Sequence, residues 1–135
     1  MMATNTNNTT LNVNVKGLNI ATFNVNGLRN TFKRNAILRS LKKLKFDIIA
    51  LQETHLLEND IDVMQRQWSG PIIYSEGTNM SKGLCFLFRE SFHADDIRVL
   101  TSSDRFLLCT VKVGVEYFVF GNIYAPNNDK EKNLF

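Results

Sequence analysis

Three consecutive segments restrict this chain more than any other feature: a β-prone run, a basic amphipathic stretch and a second apolar run. Leu18–Phe23 (Leu-Asn-Ile-Ala-Thr-Phe) suits a strand and stops at Asn24-Val25-Asn26-Gly27, whose Asn-Gly step marks a tight turn. After it, Phe32, Ile37, Leu38, Leu41 and Leu44 recur at helical spacing with lysines and arginines between them. That pattern predicts an amphipathic helix from about Thr31 to Lys45 whose apolar face covers a sheet. Asp47–Leu51 (Asp-Ile-Ile-Ala-Leu) is then apolar on both faces, as expected of a strand buried in a parallel pair. Strand, helix and strand make a right-handed crossover unit, and the chain is α/β.

The second half changes character. Gly83–Phe88, Phe106–Val113 and Val115–Ile123 are strand-like with no long helix between them, and Lys112-Val113-Gly114-Val115 reads as a hairpin turn. The sheet becomes mixed. Ile61–Trp68 reads either as a short helix or as an irregular loop, and Phe92–Asp104 as mostly connection. Asn127-Asn128-Asp129-Lys130-Glu131-Lys132 offers a helix N-cap followed by helix formers, so the chain is expected to enter a new element as it reaches Phe135.

A length of 135 residues with 44% hydrophobic and 21% charged residues suits one globular domain. Met1–Thr10 offers almost nothing to bury and has neither the basic nor the apolar region of a secretory signal; a disordered leader is expected over 1–16 and one folding unit over 17–135. No apolar run approaches the roughly 18 residues that span a bilayer, and the chain reads as soluble and intracellular. Cys85 and Cys109 each sit inside apolar strand-like runs without the spacing of a zinc knot or disulfide scaffold, and read as buried free thiols. Trp68, Phe86, Phe88, Phe118 and Phe120 read as core, and His93 as exposed. The net charge is +3, with positive charge concentrated at Arg29, Lys33, Arg34, Arg39, Lys42, Lys43 and Lys45. Such a cluster suits a phosphate backbone or is a solvated helix face.

Three apolar strands end in polar residues: Asn24 after the first, Gln52 and Glu53 after the second, Tyr124 and Asn127 after the last. In open α/β sheets ligands gather beyond the carboxyl ends of strands, so these ends converge on one cleft if they share a side. A single carboxylate among amides and a phenol suits Mg²⁺, a hard cation that keeps several waters and takes one or two protein carboxylates. Glu53 is the candidate ligand; the alternative is that it only terminates a strand or caps the next element.

Phe23-Asn24-Val25-Asn26-Gly27-Leu28-Arg29, then Leu51-Gln52-Glu53-Thr54-His55-Leu56, then Asn122-Ile123-Tyr124-Ala125-Pro126-Asn127 resemble, in order and spacing, the first three motifs of the endonuclease/exonuclease/phosphatase superfamily. Within it the chain is most similar to the apurinic/apyrimidinic-like endonuclease domain of LINE-type retrotransposons, and it is also similar to exonuclease III-type repair enzymes. The resemblance runs from about Leu18 to the end of the chain.

The resemblance implies a four-layered, deoxyribonuclease I-like α/β sandwich of which this chain is the N-terminal half, a mixed sheet with a covering helix. It implies hydrolysis of DNA phosphodiesters at a metal-activated site. Glu53 would bind Mg²⁺ or Mn²⁺, Asn24 would orient the site, and Tyr124 would donate to the phosphate or the developing charge. Arg29, Asn127 and His55 would touch DNA phosphates. Asn26 departs from the aspartate of the repair enzymes and favours the retroelement branch. DNA is the partner implied, together with a reverse transcriptase domain in the parent protein, and the nucleus is the place of action implied for that parent.

The family completes its catalytic set with a downstream Gly-Asp-Phe/Leu-Asn segment and a Ser-Asp-His segment, and neither occurs in these 135 residues. The expectation is a domain cut short, with catalysis absent or residual and the inner face of its sheet lacking a partner sheet. A different reading keeps no chemistry and leaves a nucleic-acid-binding or protein-binding remnant. A third, with inositol phosphate or sphingomyelin as substrate, ranks low beside the basic helix.

Overall fold

The computed structural model describes residues 12–15, 17–78 and 80–125. Strands β1 (Asn12–Val15), β2 (Leu18–Asn24), β3 (Ile48–Gln52), β4 (Ile72–Gly77) and β5 (Lys82–Phe88) form a mixed sheet in the order β1-β2-β3-β5-β4. Among the described strands β2 and β3 run parallel and the other pairs antiparallel, and the helix α1 (Thr31–Leu44) joins β2 to β3 as the crossover. A second, antiparallel sheet follows as β6 (Ile97–Ser102), β7 (Phe106–Val113) and β8 (Glu116–Ile123) in sequential order.

Side-chain alternation on the first sheet sorts the core into two layers. Ala21, Phe23, Ile49, Leu51, Cys85 and Leu87 point to one face and pack against α1 and a second helix, α2 (Glu58–Gln67), through residues such as Leu38, Leu41, Ile61 and Met64. Ile48, Ala50, Leu84, Phe86 and Phe88 point to the other face and meet Leu107, Cys109 and Val111 of β7. Helices, five-stranded sheet and three-stranded sheet are therefore three stacked layers. The expectation of a bare inner face is corrected here, because β6–β8 already supply a partner sheet within this chain.

The helix face also departs from the periodicity. Phe32 is 86% exposed and Leu44 half exposed, whereas Arg34 is 3% exposed. Arg34 turns under the helix, where its guanidinium donates to the carbonyls of Leu28 and Arg29 and to Gln67 Oε1 at 2.9, 3.3 and 2.9 Å. A buried charge is tolerated only when its donors are satisfied, and these bonds satisfy it. At the start of α1 the Asn30 side chain accepts from the Lys33 N–H at 3.0 Å, and Lys45 in a left-handed conformation ends it.

Other departures are local. Asn12–Val15 falls inside the expected leader but pairs antiparallel with β2, while 1–11 lie outside the described residues, as does the helix start expected after Pro126. Ile61–Trp68 resolves as helix, beginning earlier, at Glu58. Phe92–Asp104 contains the strand β6, preceded by a single 3-10 turn, Ala94–Asp96. Cys85 and Cys109 are buried free thiols on opposite faces, and burial pushes both thiol pKa values up, Cys109 to about 11. His93 is exposed, and no helix among the described residues is long and apolar enough to cross a membrane.

Candidate active site at the strand ends

The parallel pair β2 and β3 ends in register, Asn24 beside Gln52. Backbone hydrogen bonding continues past the strand ends: Val25 N–H to Gln52 O at 3.0 Å, Gly27 N–H to Glu53 O at 2.6 Å, and Leu28 N–H to Thr54 O at 2.8 Å. On the other side Thr54 N–H donates to Gly83 O at 3.1 Å and His55 N–H to Lys82 O at 3.0 Å. The Glu53-Thr54-His55 segment is thus strapped from both sides. Within it Glu53 and His55 take left-handed φ values of 53° and 55°, as do the neighbouring Asn26 (46°) and Lys82 (62°). Each such residue carries on the order of 1–3 kcal/mol of local strain, which the surrounding straps hold in place.

Two glycines make this packing feasible. A Cβ on Gly27 would lie 2.9 Å from His55 Nδ1, and one on Gly83 would lie 2.5 Å from Thr54 Oγ1. Both have positive φ, so the loop needs glycine there on conformational as well as steric grounds.

Asn24, Glu53 and Tyr124 line one open cleft of about 460 Å³ between the two sheets, together with Thr22, Gln52 and Asn122. Asn24 is held by its own turn, its Oδ1 accepting the Asn26 N–H at 3.1 Å. Tyr124 follows β8, and its N–H donates to Arg105 O at 2.7 Å, extending the β7–β8 pairing by one step. The three strand ends separated in sequence therefore share one cavity.

The other sequence candidates lie elsewhere or beside it. Arg29 does not line the cleft, and its Nε sits 3.1 Å from Asp60 Oδ2 on α2. His55 packs its ring over Gly27, and its Nε2 is buried with no hydrogen-bond partner among the described residues. Burial lowers the His55 pKa, with Glu53 raising it and Lys33 lowering it further. Asn127 lies outside the described residues. Lys33, which sequence reading places only within the basic cluster, reaches the site loop and donates to Asn26 O at 2.6 Å.

Gln52, one of the polar strand ends, and Asn122, which the strand-end pattern does not single out, bond to each other in the cleft. Asn122 is 2% exposed, its Nδ2 donating to Leu51 O at 2.9 Å and Cys85 O at 3.0 Å. Gln52 Nε2 donates to Asn122 Oδ1 at 2.6 Å and to Thr22 Oγ1 at 2.7 Å. Period-two alternation in β8 puts Phe118, Phe120 and Asn122 on the inward face, and a buried amide there has to find partners. That is the signal in the sequence.

Among the described residues no group of three or more His, Cys, Asp or Glu side chains could hold a metal ion. The donor set of the cleft fits a hard cation all the same: one carboxylate, neutral amide and phenol oxygens, and an open mouth for water. It does not fit a cation that requires sulfur or several imidazoles.

A two-sheet α/β sandwich with polar strand ends on one cleft defines the class. The endonuclease/exonuclease/phosphatase family model matches residues 21–132, and the chain belongs to that family. It is 30% identical over 122 residues to the transposon TX1 uncharacterized 149 kDa protein of Xenopus laevis, an alignment covering 87% of this chain. The crystal structure of D. rerio TDP2 humanized by 14 mutations superimposes with a TM-score of 0.54 over 85% of this chain at 18% identity, a likeness of fold alone. The chain spans 9% of the transposon protein and 54% of the solved chain.

Proposed function

We propose that this domain carries the metal-binding side of a nuclease active site acting on DNA phosphodiesters, within a retroelement protein of LINE type. The observation that supports the reading best is the shared cleft: Glu53, Asn24 and Tyr124 line one cavity although they come from three separate strand ends.

In this reading Glu53 would hold Mg²⁺ or Mn²⁺. A cation held there would supply Lewis-acid stabilisation of the charge that develops on the phosphate oxygens. Tyr124 donates its phenol proton in a hydrogen bond to a phosphate oxygen, and Asn24 orients the group bound at Glu53 through its amide. His55 is neutral near pH 7, its ring fixed by Gly27, and acts as a hydrogen-bonding neighbour of the phosphate path. Arg29 meets DNA by leaving or sharing Asp60, and Asn127 contributes a further amide to the backbone.

These side chains orient and neutralise, and among the described residues that line the cleft Glu53, assigned here to the metal, is the one carboxylate, with no imidazole beside it to activate a water molecule. Residues 1–135 alone are accordingly proposed to bind metal and not to turn over. The parent protein, with a reverse transcriptase domain and nuclear action, supplies the setting for this reading. The remnant reading draws on the exposed cations Arg39, Lys43 and Lys45, but Arg34 is buried and Arg29 is paired, so the basic surface is narrower than the sequence implies.

The test combines Mn²⁺ titration, followed by water-proton relaxation, with nicking of supercoiled plasmid. Wild type should bind Mn²⁺ and Glu53→Gln should not, while neither nicks above a Glu53→Ala control. Nicking that depends on Glu53 and Tyr124 would show that these motifs suffice for catalysis. Salt-sensitive DNA binding with no Mn²⁺ site at Glu53 would replace the nuclease reading by the remnant reading.

A further inference from the structure

We infer that Asn122 is a positioning residue, whose buried amide fixes the end of β8 over the end of β3 and so sets Tyr124 against Glu53. The inference deepens the proposed site and rests on that reading for its chemical meaning, although the positioning itself is a matter of geometry.

The contact is made between the sheets rather than within one. Asn122 belongs to β8 of the second sheet, and its three partners, Leu51, Gln52 and Cys85, belong to β3 and β5 of the first. Leu51 and Cys85 face each other in the β3–β5 register, so one NH₂ group spans a facing pair of carbonyls. Its oxygen accepts from Gln52, whose amide also reaches Thr22 on β2. A single side chain is thereby tied directly to β3 and β5 and, through Gln52, to β2, with both its donors and its acceptor used.

The spacing gives the clamp its consequence. Asn122 is two residues before Tyr124, and its partners Leu51 and Gln52 are two and one before Glu53. Between clamp and site there is almost no chain in which error can accumulate. Lys82–Asp104 and Ser75–Ser103 join the sheets away from the Asn122 contact, while in the core the second sheet meets the first through apolar side chains such as Leu107, Cys109 and Val111, which tolerate sliding. Directional bonds at a buried amide do not, because a displaced amide loses partners it cannot replace with water. Apolar packing thus brings the sheets together, and Asn122 sets their register at the site.

The experiment uses the 135-residue chain labelled with 3-fluorotyrosine, whose three tyrosines give signals assigned by Tyr→Phe variants. Glu53→Gln is made in the wild-type background and again in Asn122→Leu, a substitution of similar volume without hydrogen-bonding groups. The displacement of the Tyr124 fluorine signal caused by Glu53→Gln should be present in the first background and lost in the second, with amide protection of β2, β3 and β5 retained. Gln52→Met, which removes one arm of the clamp, should reduce it in part. A merely structural asparagine would lower stability without uncoupling the two site residues.

An undiminished displacement in Asn122→Leu overturns the inference, as does its absence from the wild-type background. If Asn122→Leu does not fold, an undiminished displacement in Gln52→Met overturns it equally. Mn²⁺ then separates the two readings: broadening of the Tyr124 signal that requires Glu53 supports the metal site. Fluorine coupling without any Mn²⁺ effect leaves the clamp standing and removes the metal.

Discussion

The two sheets are built from similar residues and differ in how they are covered. The five-stranded sheet has helices on one face and a sheet on the other, and every residue from Leu84 to Phe88 is buried. The three-stranded sheet is covered on one face, while its other side leaves Tyr117 at 70% and Val119 at 66% exposure. The difference teaches where positional accuracy comes from. Asn24 and Glu53 leave strands covered on both faces, whereas Tyr124 leaves a strand covered on one face, two residues after the Asn122 amide that bonds to the first sheet.

The largest expected effect tests the contrast directly. Phe88→Ala removes a fully buried ring packed 6.1 Å from Phe86 and 5.7 Å from Phe92, centroid to centroid, and should destabilise the domain by about 3–5 kcal/mol. Val119→Ala, on the outer face of the second sheet, should change stability by no more than about 0.5 kcal/mol. Urea unfolding midpoints measure both. Equal losses would mean that Val119 is as well packed as Phe88 in solution, and the contrast between the sheets would break.

How far the sequence foretells this arrangement depends on what each element relies on. The β2–α1–β3 unit is legible because its apolar periodicities are local, and the three strand ends are legible because polar residues interrupt apolar runs. Strand β6 is not: Ile97–Ser102 is largely exposed and carries no apolar alternation, so its pairing with β7 decides it. Phe32 and Arg34 exchange roles because the carbonyls of Leu28 and Arg29 and the distant Gln67 amide make a buried guanidinium tolerable, and no periodicity encodes acceptors. Arg29 looks available in sequence and is paired in the fold, since Asp60 arrives from a helix that the pattern leaves undecided. The roles of Glu53, Asn24 and Tyr124 come from family resemblance; their convergence is what the structure adds.

The next effect compares two glycines, one in each sheet. Gly83→Ala combines a left-handed backbone with a Cβ 2.5 Å from Thr54 Oγ1 and 3.1 Å from Gly77 N, and should cost about 2–4 kcal/mol. Gly114→Ala, in the β7–β8 hairpin, shares the positive φ but meets nothing within 4 Å, and should cost about 1 kcal/mol. Guanidinium unfolding resolves the difference. Losses of the same size would show that the Thr54 strap yields, and the rigidity assigned to the Glu53 loop would have to be abandoned.

The smallest effect concerns an ion pair that joins the sheets at their rim. Lys82 Nζ lies 2.5 Å from Asp104 Oδ2, and the Lys82 hydrogen bond holds the Asp104 carboxyl below its ordinary pKa of 3.8, with Arg105 helping. A carboxyl depressed in the folded state stabilises above its unfolded pKa and loses that contribution as pH falls through the folded value. Asp104→Asn should therefore lower stability near pH 7 and make no difference once the pH is well below 3.8. Both side chains are substantially exposed, so solvent screening limits the contribution to about 1 kcal/mol or less. Thermal melts of the two proteins from neutral pH downwards read this as converging curves. A gap that persists in acid would show that Asp104 acts through packing instead, leaving the buried Asn122 amide as the directional link between the sheets near the site.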